Sequence, residues 1–577
     1  MNYLRIAKIG LLVAGLLLAS LPGQKFLPDD PIRQDDDRLP YPEPGFVELS
    51  PSFDMAENTF GKKGAGPGLR AQNVNTLGEV PDSSWFTNRL SEREMPIEEL
   101  IGGGLIRKPD TSGPLTVTGA ALIAVTAGLV IRDSRNDLYY VKFDPEGLAN
   151  MATAADHITS KFLYAFGYNV LPSCITHIDP AQLKIDPSAV VRMLGGNEKP
   201  LDREFIILAL ERVYQKEDGR YRVVAHPLPP GNLLGGFKFF GTRQDDANDI
   251  FPHEDRRELR GLRVFSAWLN HVYCRSLNTM DVYIPDVQSD EKMGWVKHYL
   301  VDFSTSLGSG YDLNEKIVPK QPQDGYEYNF WGDHKANLKT ALSLGIWVRP
   351  WMKIEYPYPK YAEIGKIEAD FFEPNKWKPA YRNAAFEKML PDDAFWASKI
   401  LVRLSDAAIR AVVHEGNFSD PESEKYLADT LISRRDKILQ HYLQQISPLD
   451  RFRVVDSSLV FENLGLHSGL ASECSYQYLW HEFDNKTEDS TPLGNWRYTG
   501  FSRIPVPEHQ SDYLMVRIRT RADEAPKWLK NVDVYLRNGA AREVVGIDRE
   551  MDATELNNVT QPDPTESPAG TVSDRPK

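Results

Sequence analysis

The sequence predicts an α+β chain with two lobes, the first rich in strands and the second helical, followed by a small antiparallel β-sandwich. Three observations predict it. Leu115 to Phe143 alternates apolar and polar residues in short runs broken by turn residues, as strands do. From Leu259 onward apolar residues recur at helical spacing, as at Leu262, Phe265 and Leu269. After Phe452 the pattern returns to about six short alternating runs over ~100 residues, which suits a sandwich. A chain of 577 residues is too long for one core, so separate domains are required.

Residues 1–23 read as a signal peptide or N-terminal anchor. Arg5 and Lys8 precede an apolar run from Ile9 to Leu21, shorter than a comfortable membrane span. Ala19, Ser20 and Gly23 offer small residues but no Ala-x-Ala, so a cleaved signal and an uncleaved anchor both stand, and export is expected in either case. Residues 24–114 follow as an Asp- and Pro-rich spacer to about Gly45, read as a solvated tether, then an irregular segment carrying Phe53, Trp85 and Phe86 over the first lobe. A net charge of −14 without a long basic run excludes a nucleic-acid partner. Cys174, Cys274 and Cys474 lie far apart with no Cys-x-x-Cys spacing, so neither a zinc site nor a disulfide framework is expected.

The first lobe is expected over residues 115–215. Its hairpin turns at Ser134 to Asp137 and places Lys142 on the second strand, with Tyr140 on the same side. Met151 to Phe166 reads as a helix with an apolar stripe of Ile158, Phe162, Leu163 and Phe166. Phe205 to Val213 is a continuous apolar run, expected as a buried strand beside the hinge into the helical lobe, residues 216–450. There an acid-rich loop, Asp245 to Glu258, leads into an amphipathic helix, Leu259 to His271. The stretch from Trp268 to Gly310 is the centre of the chain: a helix end, a polar loop, a strand, a hairpin and a second strand running into a glycine-bearing turn. Asn278 and Asp302 are thereby offered side by side. An amide and a carboxylate at the ends of adjacent strands suit a hard divalent cation that also holds phosphates. Helices are expected over Asp333 to Leu344, Asp393 to Glu415 and Asp420 to Gln445, the last with Arg434 to Lys437 on a solvated face. Trp347 to Met352 and Tyr356 to Tyr361 form an aromatic, proline-bound surface that suits carbohydrate or peptide. The β-sandwich module is expected over 451–550 and a disordered tail over 551–577.

The order of a loop with Asn, a hairpin and Asp-Phe-small resembles the catalytic and metal-binding loops of atypical kinases, the HipA-type and phosphoinositide-kinase-like branches. Val141-Lys142-Phe143-Asp144-Pro145, Pro252 to Gly261 and His298 to Phe303 are similar to phrases in a family of long, exported, uncharacterised bacterial proteins that carry that fold. The resemblance covers roughly Leu115 to Phe452. It implies ATP and Mg²⁺ as cofactors, with Lys142 on the phosphates, held by Asp156 from the next helix, and Asn278 and Asp302 as the metal ligands; for Arg275 two roles stand, a phosphate contact or pairing with an acid. Three departures matter. Ser304 stands where Asp-Phe-Gly has its glycine, Gly128 is a poor substitute for a glycine-rich phosphate loop, and Tyr273 stands five residues before Asn278 where kinases place the aspartate that orients the acceptor hydroxyl. His271 and Asp281 are the substitutes at hand. The expected function is therefore that of an exported pseudokinase of the periplasm or cell envelope, binding nucleotide and Mg²⁺ between its lobes. An active atypical ATP-dependent kinase is the alternative, and an envelope carbohydrate- or peptide-binding protein the second. The expected partner is a protein or glycan of the envelope, with membrane contact only through an uncleaved N-terminal segment.

Overall fold

The computed structural model describes residues 23–61, 68–121, 128–192, 198–286, 293–311, 318–319, 325–328, 334–539 and 541–551. The signal or anchor segment through residue 22, the tail from residue 552, Ala127 beside Gly128, and Asp333 at the expected helix start lie outside the described residues. Among the described residues, no helix is long and apolar enough to cross a membrane. The chain forms two compact units. The larger takes Gln34–Asn73 and Val80–Tyr442; the smaller takes Val74–Glu79 and Leu443–Met551 with the described part of Met1–Arg33.

The larger unit opens with β1 (Tyr41–Pro42), α1 (Pro51–Phe60) and α2 (Ile97–Gly102). A seven-stranded sheet follows, built from β2 (Leu115–Ala121), β3 (Gly128–Arg132), β4 (Leu138–Phe143), β5 (Cys174–Ile178), β6 (Leu183–Arg192), β7 (Glu198–Pro200) and β8 (Tyr221–Pro227) in the order β5-β8-β4-β3-β2-β6-β7. Only the β2–β6 pairing is parallel. Its core gathers Leu115, Val117, Ile131, Val141, Phe143 and Val223, all nearly without exposure. Against the sheet lies α3 (Met151–Phe166), of which every residue but Tyr164 is buried. The expected apolar stripe is therefore part of a helix buried on all sides, and its polar residues need partners inside the protein.

Phe205 to Val213 is not a strand. It begins as α4 (Arg203–Leu210), capped by Asp202, whose carboxylate accepts the Phe205 N–H at 2.8 Å, and only Ile206 of the helix is buried. A continuous apolar run has no period that separates helix from strand, and the N-cap decides it. The strand next to the crossing is β8 instead, so the sheet runs past residue 215.

The second part of the unit is helical with a small sheet in its midst. Its elements are β9 (Asn232–Leu233), α5 (Arg257–Leu269), β10 (Thr279–Pro285), β11 (Met293–Leu300), α6 (His334–Leu342), α7 (Ala384–Glu387), α8 (Pro391–Leu401), α9 (Asp406–His414) and α10 (Pro421–Leu443). Sheet order is β1-β11-β10-β9. Asp393 to Glu415, expected as one helix, is two: α8 ends at Leu401 and Ser405 caps α9, its hydroxyl accepting the Ala408 N–H at 3.1 Å. Arg434 is not solvated either. Only 3% exposed, it donates to the Trp268 carbonyl at 2.9 Å and to that of Ala267, carbonyls in the last turn of α5.

Two further expectations change. In place of a solvated tether, Asp37 is buried, accepting the Ser84 N–H at 2.8 Å and the Ser84 hydroxyl at 2.6 Å, and Tyr41 pairs with Gly294 of β11. The segment expected to lie over the first lobe enters the core: Trp85 stacks on His298 with ring centroids 3.6 Å apart, and Phe86 packs on Tyr168 and Trp396. The charged phrase Pro252 to Gly261 also turns inward. Asp249 lies 2.6 Å from His253 and 3.2 Å from Arg256; Asp393 lies 3.0 Å from Arg257 and 3.4 Å from Arg260; and Asp255 lies 2.6 Å from Arg260. This ion network fixes the start of α5.

The smaller unit is antiparallel throughout its strand pairings. β12 (Leu449–Val455), β13 (Ser458–Asn463) and, after α11 (Leu464–His467), β14 (Ser475–Phe483), β15 (Ser490–Pro492), β16 (Arg497–Thr499), β17 (Arg503–Pro505), β18 (Tyr513–Arg521), β19 (Val532–Asn538) and β20 (Arg542–Arg549) form two sheets. One is β12-β13-β17; the other is β15-β14-β18-β19-β20 with β16 also on β14. Leu459 and Ile504 from the first share one core with Tyr476, Val516 and Val534 from the second. Phe26 joins this unit, packing on Phe483, Tyr513 and Tyr535. All three cysteines are free thiols.

Candidate functional site

The stretch from Trp268 to Gly310 folds around a hairpin. β10 and β11 pair from Thr279 opposite Leu300 to Pro285 opposite Gly294, so Asn278 and Val301 leave the hairpin side by side, and the Val301 N–H donates to the Asn278 carbonyl at 3.0 Å. Asn270 closes α5 in the left-handed region (φ 48°), turning the chain toward the loop that carries His271, Tyr273 and Arg275. From outside, α1 fixes that loop: buried Asp54 accepts the Ser276 hydroxyl and backbone N–H, together with the Tyr381 hydroxyl. Asp302 itself adopts φ 64°, a conformation non-glycine residues rarely take and one that recurs at functional sites.

These elements border a cavity of about 400 Å³, walled by Val130, Leu171, Leu228, Leu233, Met280 and Phe303 and tipped at one end by Lys142, Asp302, Asn278 and Arg275. The Lys142 ammonium donates to Asp156 at 2.8 Å and to Asp302 at 2.6 Å. Burial alone would lower its pKa; the two carboxylates outweigh burial and hold it above the ordinary lysine value. Burial likewise pushes the Asp156 carboxyl up, but Lys142 and then His226 bring it well below the ordinary range, and Asp302 is lowered chiefly by Lys142 against the same opposition. The cluster is thus fully charged near neutrality.

Asp302 Oδ1 accepts Lys142 and the Ser304 hydroxyl, the latter at 2.8 Å, so the serine in the third position of the motif steadies the acid before it. Oδ2 of Asp302 accepts no hydrogen bond among the described residues. Asn278 donates to the Asp302 carbonyl at 3.2 Å, and its own side-chain oxygen accepts Arg275 Nε at 2.8 Å. The Arg275 guanidinium rests 4.5 Å from the centre of the Tyr273 ring.

Six of the eight residues expected to serve the site are thereby gathered at the cavity: Lys142 with Asp156 behind it, Tyr273, Arg275, Asn278 and Asp302. Asp281 is not. Alternation along β10 points Met280 into the cavity and Asp281 away from it, where it lies 2.8 Å from His298 and 3.0 Å from Arg243. His271 is buried outside the cavity lining, with its ring against Phe303, and burial lowers its pKa to about 4.

Two residues at the cavity went unnoticed in the sequence. His226 on β8 sets Nε2 at 3.2 Å from Asp156 Oδ1, yet neither atom forms a hydrogen bond among the described residues; Thr305 Oγ1 is buried and unpaired in the same way. Both faces of β8 are buried, so no alternation marked His226. Buried polar atoms without partners are uncommon, and the two residues line one cavity.

For a divalent ion the donor set is small. Among the described residues no group of three His, Cys, Asp or Glu is placed to hold a metal. What remains is the unclaimed Asp302 oxygen, which fits an ion that takes its other ligands from phosphates and water, as Mg²⁺ does. The Asn278 oxygen is already engaged.

No protein-family model matches the chain, and no curated protein sequence matches it. The solved structures similar to it include two kinases. A Helicobacter pylori proinflammatory kinase, CtkA, is 12% identical at a TM-score of 0.29, covering 55% of this chain and 89% of its own. A Golgi casein kinase, solved with Mn and ADP bound, is 7% identical at a TM-score of 0.25, covering 62% and 83%. At such scores the likeness carries nothing further, and the site stands on its own geometry.

Proposed function

We propose that the chain is an exported pseudokinase: a two-lobed kinase-like fold, followed by a small antiparallel β-sandwich, that binds a nucleoside polyphosphate with a divalent ion in this cavity and does not transfer its phosphoryl group. The observation that carries the reading is Lys142, held between Asp156 at 2.8 Å and Asp302 at 2.6 Å at the charged end of a largely apolar cavity. An apolar chamber with converging charges at one end suits a ligand with a flat apolar base and a polyanionic tail. Lys142 and Arg275 supply positive charge to that tail, Asp302 would hold the ion, and the ion would neutralise further phosphate charge.

Phosphotransfer needs an acceptor for the proton of the attacking hydroxyl. Asp302 is the one carboxylate among the described lining residues, and it is paired to Lys142. Tyr273 is a phenol, and His271, with a pKa near 4, binds protons weakly at neutral pH. Export rests on Arg5, Lys8 and the apolar run to Leu21, and it places the protein in the periplasm or envelope, with a protein or glycan as partner.

The test is a thermal shift of the full chain with ATP and Mg²⁺, beside Asp302→Ala, followed by a phosphotransfer assay. A ligand at ~100 times its Kd stabilises by ~2.7 kcal/mol. Stabilisation lost in Asp302→Ala, without turnover, is expected. Turnover would make the chain an active kinase, and stabilisation by glycans alone would make it an envelope binding protein.

A further inference from the structure

We propose that Arg275 stands in for a metal ion at Asn278, so that the cavity takes at most one divalent ion, at Asp302. This deepens the nucleotide reading and rests on it. The side-chain oxygen of an asparagine is its one metal-ligating atom, and here that oxygen accepts Arg275 Nε at 2.8 Å. The amide nitrogen of Asn278 is turned the other way, donating to the Asp302 carbonyl at 3.2 Å. Both ends of the amide are therefore engaged, and rotating it would set two acceptors, and separately two donors, face to face.

The charge is also already supplied. A guanidinium is always protonated, and a second cation beside it would be repelled across a few ångströms of poorly screened space. With Nε committed to Asn278 and the ring of Tyr273 4.5 Å from the guanidinium centre, Arg275 is held in one orientation at the polar end of the cavity. Neither terminal nitrogen of Arg275 donates to a described residue, so the fork that matches phosphate oxygens is left for the ligand. Tyr273, which costs the site a proton acceptor, thus supports the cation that does the work of a second ion.

The decisive measurement counts Mn²⁺ bound per nucleotide on the full-length protein, by electron paramagnetic resonance with a non-hydrolysable ATP analogue. One Mn²⁺ per nucleotide is expected in the wild type, together with retention of part of the nucleotide affinity in EDTA. Arg275→Gln is expected to weaken nucleotide binding by ~10-fold and to admit a second Mn²⁺ once the Asn278 oxygen is released. Two Mn²⁺ per nucleotide in the wild type would overturn the inference and leave the nucleotide reading intact. A single Mn²⁺ in a folded Arg275→Gln would show that Arg275 is not what closes Asn278, and would overturn it as well. No nucleotide binding under any metal condition removes the parent reading and this inference with it. The wild-type count alone decides the matter if the variant does not fold.

Discussion

Two clusters of buried charge in the larger unit use the same residue types to opposite ends. Around the start of α5, Asp249, Asp255, Asp392 and Asp393 face His253, Arg256, Arg257 and Arg260, and none of the eight is more than 7% exposed. At the cavity a single ammonium, Lys142, serves two carboxylates, and Asp302 keeps one oxygen unclaimed and 27% of its side chain exposed. In the first cluster each acid meets a base, although Arg256 Nε and Nη1 form no hydrogen bond among the described residues, and what the arrangement secures is the position of α5. The second is open, short of partners on the side that faces the cavity, and an open cluster retains the capacity to bind. Buried charge by itself therefore marks no function in this chain. What separates the two clusters is whether a carboxylate faces a cavity, as Asp302 does and the four acids at the start of α5 do not.

The sharpest way to break this contrast is to remove one cation from each cluster. Arg260→Met takes one cation from Asp255 and Asp393, which keep Lys388 at 3.3 Å and Arg257 at 3.0 Å but lie buried, and the larger unit should lose ~3 kcal/mol in urea unfolding. Lys142→Met should cost less, ~2 kcal/mol, because Asp302 borders the cavity and can be solvated there, while His226 stays beside Asp156. The same variant should abolish nucleotide stabilisation, which Arg260→Met should leave in proportion to the folded fraction. Equal losses of stability from the two would show that the cavity cluster is as closed as the other.

Much of this contrast was invisible in the sequence. The hairpin around Asn278 and Asp302, and Lys142 beside Tyr140, were legible because period-2 alternation and turn residues fix register and face. Alternation also held the answer for Asp281, which Met280 excludes from the cavity, but only once the cavity-facing side of β10 was known. The acid-rich loop from Asp245 to Glu258 was legible as a loop but not as a buried one; the pairing of Arg257 with Asp392 and Asp393 spans more than 130 residues of sequence and leaves no local trace. Arg434 was misread for the same reason. Asp54 of α1, which fixes the Ser276 backbone, acts across 222 residues. The Phe205 run failed for a different reason, a short apolar segment without a period.

His271 probes the border between the two regimes, because it is buried beside the cavity and is not paired by the network. It follows the left-handed Asn270, its ring lies 5.3 Å from that of Phe303, and its Nδ1 has no hydrogen-bond partner among the described residues. Burial lowers its pKa to about 4, and the attraction of Asp302 and Asp156 falls short of restoring it. The unfolded chain therefore binds a proton at this position below about 6.5, whereas the folded chain binds it only below about 4, so stability must fall as pH falls through that window. At pH 5.5 the loss from this residue is on the order of 1 kcal/mol. His157, lowered to about 4 by burial, adds to the same slope, whereas His253, raised because Asp249 outweighs its burial, contributes stability that is lost only as pH rises above 6.5. Urea midpoints of wild type and His271→Gln between pH 7.5 and 5 should converge as pH falls. Curves that stay parallel would mean that His271 titrates alike in the folded and unfolded chain, and curves that diverge as pH falls would mean that Asp302 holds it protonated as a member of the open cluster.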